Sequence, residues 1–166
     1  MEQKKNAVTT VGSEDGLNLS VVGDTYRIVI SGKQTEGAYA LIDMMIPSGA
    51  GPGPHSHPDF HEGFYVLEGE IEFKTELETY TAKVGSFVNI PLGGVVHCFK
   101  NKTKTTAHLM CMVIPSGLEK FFEEIGKPVT PGAFLPPPPM DPDTQKRLQE
   151  IAKKYNMKVF PPDYLD

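Results

Sequence analysis

The chain has 166 residues, a net charge of −5 and no basic run, which argues against a nucleic-acid partner or an anionic membrane surface. Its 16 glycines and 15 prolines are too many for a helical bundle, whose interiors both residues disrupt, and too few for a low-complexity chain. No apolar stretch is long enough to span a bilayer, the N-terminus is polar, and the two cysteines, Cys98 and Cys111, make no disulfide scaffold, so a single-domain cytoplasmic protein is expected.

Residues 1–16 are polar and read as a flexible N-terminal segment. Strand patterns begin at residue 17. Leu17 to Val22 stops at Gly23-Asp24, and Tyr26 to Ser31 alternates, with Tyr26, Ile28 and Ile30 on one face. Tyr39 to Ile46 is apolar at nearly every position, the pattern of a strand covered on both sides. A Gly/Pro run from Gly49 to Pro54 leads into His55-Ser56-His57. Phe64–Leu67 and Ile71–Lys74 flank Glu68-Gly69-Glu70 and read as a hairpin. Phe87–Ile90, Val95–Lys100 and Ala107–Ile114 complete a series of about nine or ten strands, which predicts a β-sandwich or barrel over 17–115.

After Pro115 the period becomes helical. Ser116 and Glu119 have the spacing of a capping box, and Leu118, Phe121, Phe122 and Ile125 form one apolar face before Gly126 and Pro128. Seven prolines lie in 128–142, an extended connector. Asp141-Pro142 opens a second helix with stripe Leu148, Ile151, Ala152 and Tyr155, and Asn156 suits its C-terminal cap. Met157 to Phe160 is a last strand or an extended tail. Residues 116–166 are thus a helical C-terminal extension.

The chemistry concentrates in His55, His57, Glu62 and His97. His55 and His57, two apart on a strand, would share a face, and the Pro58-Asp59 turn lets Glu62 swing back toward them. His97 and Phe99 share a face of a later strand. Three imidazoles and one carboxylate suit a divalent first-row metal, and in an octahedron they leave two positions for exogenous ligands. Aromatic, methionine and histidine positions that could line a substrate cavity are Tyr39, Met44, Phe64, Phe87, Phe99, His108, Met110 and Met112. Ordinary barrel core is the competing role for each. His61 should point away from Glu62, Cys98 away from His97, and both cysteines read as buried free thiols.

These positions resemble the two motifs of the cupin family. Gly49, His55, His57, Glu62 and Gly69 match the first; Gly85, Pro91, His97 and Asn101 match the second, with one extra residue between Pro91 and His97, so that either Gly93 or Gly94 takes the turn. The resemblance implies an all-β double-stranded β-helix (a jelly-roll barrel), with one Fe, Ni, Mn, Co, Cu or Zn ion per chain on His55, His57, Glu62 and His97. Further stretches, among them Thr35–Tyr39, Phe64–Gly69, Phe121–Gly126 and Lys154–Asn156, are similar to single-domain cupins of the quercetin 2,3-dioxygenase type. That resemblance implies addition of O2 to a small aromatic or enolised substrate, with Glu62 as the catalytic base, and a homodimer. A non-oxidative isomerase or lyase and a non-catalytic small-molecule binder are the other activities that cupins offer.

Overall fold

A computed structural model describes residues 8–166. The first seven residues of the expected flexible segment lie outside the described residues, and 8–16 are largely exposed coil. Ten strands follow: β1 (Leu17–Val21), β2 (Asp24–Ile30), β3 (Ala40–Ile46), β4 (His55–Ser56), β5 (His61–Glu68), β6 (Glu70–Thr75), β7 (Thr79–Lys83), β8 (Phe87–Ile90), β9 (His97–Lys100) and β10 (Ala107–Ile114). Then come α1 (Leu118–Ile125), β11 (Lys127–Pro128), α2 (Pro142–Lys154) and β12 (Lys158–Val159). Two antiparallel sheets result, in the orders β11-β1-β2-β3-β10-β5-β8 and β12-β4-β9-β6-β7. The all-β architecture with a helical C-terminal extension is as expected.

Alternation builds the core. In β3, Ala40, Ile42, Met44 and Ile46 are buried while Leu41, Asp43 and Met45 are half-buried, so the strand is fully covered on one face only. β10 does the same, with Ala107, Leu109, Cys111 and Val113 inward. β1 and β2 join through Val22-Gly23, whose φ angles of 53° and 101° match the twist of a tight hairpin.

Two expectations need correction, and β7 lies where the sequence shows no apolar pattern. The segments around Gly69 are not a hairpin: β5 pairs with β8 and β10, β6 with β7 and β9, and the chain changes sheet at Gly69. Gly69 has φ 72°, a left-handed conformation that disfavours a side chain, and it packs closely against Thr106 and Ala107 at this corner. β7 had no apolar signal because only Ala82 of its five residues is buried. The cap of α1 is Gly117 rather than Ser116, one residue later than the spacing suggested. Glu119 still reaches back, accepting from Gly117 N–H at 2.6 Å, while its other oxygen takes Gly32 N–H at 3.0 Å.

The second helix begins as expected, with the Asp141 carboxylate accepting from Thr144 N–H at 2.8 Å and Asn156 at φ 53° beyond its end. The extension is woven into the barrel. β11 pairs with β1 and β12 with β4, and Leu118, Phe121, Phe122, Ile151, Ala152 and Met157 belong to the barrel's own core. The proline-rich connector lies on the β1–β2 turn, where Thr25 Oγ1 donates to Ala133 O at 2.6 Å and Gly23 faces Pro137. Among the described residues no helix is long and apolar enough to cross a membrane.

Candidate metal centre

The strand that carries His55 is only two residues long, so His57 stands just past it rather than on it. What brings the imidazoles together is pairing between strands: His55 is directly opposite His97 on β9. Gly51 makes this possible. It has φ 126°, and a Cβ there would collide with the Phe99 carbonyl oxygen, so only glycine lets the loop close on β9. Asn101 locks the other side. Its Nδ2 donates to Ile46 O (2.8 Å) and Thr105 O (2.7 Å), and its Oδ1 accepts from Thr103 N–H (2.9 Å). The extra residue before His97 is absorbed by two turn glycines, since both Gly93 (φ 106°) and Gly94 (φ 80°) are left-handed. Gly93 N–H donates to Pro58 O at 3.0 Å, fastening this loop to the turn before Glu62.

One ligand atom from each of His55, His57, Glu62 and His97 lies within 4.8 Å of the others. His57, Glu62 and His97 are buried, and His55 is half-buried. The tautomers are set from outside the cluster: His55 Nδ1 donates to Gly53 O and His97 Nδ1 to Val95 O, each at 2.9 Å, which leaves both Nε2 lone pairs facing inward. His97 Nε2 is buried without a hydrogen-bond partner, 3.5 Å from Glu62 Oε2. An orphaned imidazole nitrogen beside a carboxylate is what a cation would satisfy, so the donor set fits a metal ion that it could hold.

The electrostatics agree. Burial works against the Glu62 carboxylate, yet the His57 hydrogen bond and the nearby imidazoles of His57 and His97 hold it well below the usual carboxylate range. Burial also disfavours protonated His57, but the Glu62 hydrogen bond at 2.9 Å and the Glu62 charge outweigh it and raise its pKa. Burial and the neighbouring His97 push His55 down to about 3, so this imidazole stays neutral, the form that binds metals.

Residues 42–113 match the model of the cupin domain. These residues form a cupin domain. It is 27% identical to a quercetin 2,3-dioxygenase of Bacillus subtilis over 90% of this chain and 43% of that protein. It is 32% identical to germin-like protein subfamily 2 member 2 of Arabidopsis thaliana, over 55% of this chain and 47% of that one. The chain thus spans less than half the length of the curated relatives it matches. Among solved structures, a Thermotoga maritima protein described as a predicted oxalate decarboxylase superposes with a TM-score of 0.58 at 19% identity, covering 64% of this chain and 99% of that one, a likeness of fold.

A cavity of about 310 Å³ opens beside the centre, with His55 and Glu62 among its lining residues. Met44 and Phe99 line it, together with Leu118, Phe122 and Met157 from the extension. The other positions considered for a cavity lie elsewhere. Phe64 is enclosed in an aromatic cluster with Phe73 and Phe99, at centroid distances of 5.1 and 5.3 Å. Tyr39 precedes β3 and is exposed, and Phe87 lies outside the barrel, its ring covering Gly63. His108, Met110 and Met112 do share a face of β10, but it is the outward one. There His108 Nε2 pairs with Asp43 Oδ1, and Asp43 Oδ2 accepts from Arg27 Nη2 at 2.9 Å. Strand alternation groups such residues correctly; only the sheet pairing decides which group faces in.

Three groups at the site were missed from the sequence. Cys111 Sγ donates to Glu62 Oε1 at 3.3 Å, and burial together with the Glu62 charge keeps this thiol protonated. Its even spacing from Leu109 and Val113 was the available signal. Asp24 and Tyr26 line the cavity from β2. Asp24 read as a turn residue because it follows glycine, although it shares the face of Tyr26 and Ile28.

Proposed function

We propose that this cupin is a metal-dependent dioxygenase that adds O2 to a small aromatic or enolised substrate. The observation that carries this reading is the cluster of three imidazoles and one carboxylate, within 4.8 Å of one another, two of whose members, His55 and Glu62, line a mostly apolar cavity. His55, His57, Glu62 and His97 would hold one divalent transition metal, which when bound supplies coordination sites for the substrate oxygen and for O2. The likeness to a quercetin 2,3-dioxygenase over 90% of the chain supports the reaction class.

The chain's own residues supply positioning and proton handling. Glu62 Oε2 is engaged by His57, whereas Oε1 has only the weak thiol donor of Cys111, so Oε1 is the oxygen that would take a substrate hydroxyl proton. His57 and His97 keep that carboxylate ionised until it does. Met44, Phe99 and Phe122 exclude water around an aromatic ring. From the same family resemblance we propose a homodimer, which a monomer mass in sedimentation equilibrium would refute.

The test is elemental analysis of the purified chain followed by oxygen uptake with a panel of flavonols and enolisable diketones. The expected result is about one transition metal per chain and metal-dependent oxygen uptake with at least one member. Turnover that persists without oxygen and with zinc would replace the dioxygenase by a Lewis-acid isomerase or lyase.

A further inference from the structure

Three carboxylates are buried among the described residues: Asp24, Glu62 and Glu119. Both oxygens of Glu62 and both of Glu119 accept hydrogen bonds. Asp24 is different. It is 3% exposed, its Oδ2 accepts from the Tyr26 hydroxyl at 3.0 Å, and its Oδ1 is buried with no hydrogen-bond partner. A buried acceptor left in that condition costs about 1–3 kcal/mol.

The backbone beside it is held at a further cost. Val22 adopts φ 53°, a left-handed conformation that β-branched residues avoid. Strain at such a position and an unpaired carboxyl oxygen two residues away both serve one result, the placement of Asp24 on the wall of the cavity. Val22, Asp24 and Tyr26 line that cavity together with His55 and Glu62. Tyr26 is pinned in turn by edge-to-face packing on Phe122, with centroids 5.0 Å apart. The remaining lining is mainly apolar, so Asp24, outside the set of candidate metal ligands, is the acceptor to which a ligand's hydrogen-bond donor would turn.

We propose that Asp24 Oδ1 is a second anchoring point of the cavity, accepting a hydrogen bond from a hydroxyl or N–H of a small aromatic ligand whose enol oxygen sits at the metal end. Tyr26 acts through Asp24 as a positioning residue: its hydroxyl fixes the carboxyl's rotation and leaves Oδ1 free. The inference rests on the reading of His55, His57, Glu62 and His97 as a metal site that takes such a ligand. Burial raises the Asp24 carboxyl to about 7, so near neutral pH it is as ready to accept a hydrogen bond as to share a proton.

The probes are 3-hydroxyflavone and its derivatives with one added hydroxyl on either ring, titrated without oxygen by fluorescence against metal-loaded protein. At pH 8, where the Asp24 carboxyl is ionised, at least one derivative should bind wild type about 10- to 100-fold more tightly than the parent, the yield of one hydrogen bond to a charged acceptor. Asp24→Leu, which removes the acceptor, should abolish that advantage, read as the ratio of derivative to parent affinity within the same metal-loaded variant. Should the Leu variant fail to fold, Asp24→Asn keeps a neutral acceptor and should shrink the advantage by about fivefold or more. An advantage that is undiminished in either substitution overturns the proposal. So does a metal-loaded wild type that gains nothing from any added hydroxyl, or that binds none of the probes. A chain that binds no metal is a separate failure, that of the metal-site reading.

Discussion

Asp24→Asn should change the stability of the protein in a strongly pH-dependent way. Burial raises the carboxyl from an ordinary value of 3.8 to about 7 in the folded chain. Between these two values the folded protein binds a proton that the unfolded chain has released. The contribution of this group to stability therefore falls as pH rises through that window, and the loss is complete above pH 7. A difference of about three pKa units corresponds to about 4 kcal/mol, an upper bound because relaxation around the charge reduces it. An asparagine cannot ionise. It still accepts from Tyr26 but brings a buried N–H₂ whose cost of about 1–3 kcal/mol does not vary with pH. The decisive quantity is thus a difference of differences: variant minus wild type at pH 8, less the same at pH 5. Urea unfolding at the two pH values, at matched metal load, measures it. Because part of the loss already lies below pH 5, it should favour the variant by about 1–3 kcal/mol. A difference flat from pH 5 to 8, or one that favours wild type at pH 8, would refute the assignment of Asp24 as a buried, desolvated acid.

Other consequences can be checked separately. His57→Ala should reduce metal from about one per chain to a small fraction by elemental analysis, and retained stoichiometric metal would argue against the site. Cys111→Ala should weaken metal binding by about 10- to 100-fold in a chelator competition, as expected for loss of a group that supports a ligand, and Cys111→Ser should restore most of it. In the native protein Cys111 should resist iodoacetamide at pH 8 and react only after unfolding, because it is buried and its thiol is held protonated. Gly51→Ala forces a side chain into the Phe99 carbonyl at a left-handed φ and should cost about 1–3 kcal/mol or more in thermal unfolding. The same variant should bind metal more weakly, since the loop it displaces sets His55 opposite His97.

The ligands were legible in the sequence because their requirements are local. His55, His57 and Glu62 lie within eight residues, and the glycines that shape their loop lie beside them. The cavity was not legible in the same way. Met44 and Phe99 line it while Met110 and Met112 do not, yet all four sit in alternating apolar strands with nothing to mark the inner face. That choice depends on register between distant strands, such as Leu109 opposite Met44. Asp24 was hidden for a related reason. After a glycine it has the chemistry of a turn residue, and its burial becomes apparent only when the extension and the rest of the barrel close over β2. The hairpin wrongly assigned around Gly69 shows the same limit: a glycine turn predicts a change of direction but not a change of sheet.

The C-terminal extension bears on both stability and the cavity. Leu118, Phe121, Phe122, Ile151 and Met157 are each at least nine-tenths buried in the barrel's core. Full burial of side chains of this size contributes about 1.5–3 kcal/mol each, so the five together supply an amount comparable to the net stability of a typical domain. The barrel strands alone would leave that surface open, and the opening would fall at the cavity, because Leu118, Phe121, Phe122 and Met157 are also lining residues. The proline-rich connector completes the arrangement. It rests on the strained Val22-Gly23 turn, and the chain that follows it pairs β12 with the strand carrying His55. One segment therefore closes the hydrophobic core, braces the turn that presents Asp24 and flanks the first imidazole of the metal cluster. Changes in the extension should accordingly be felt in ligand affinity as well as in folding.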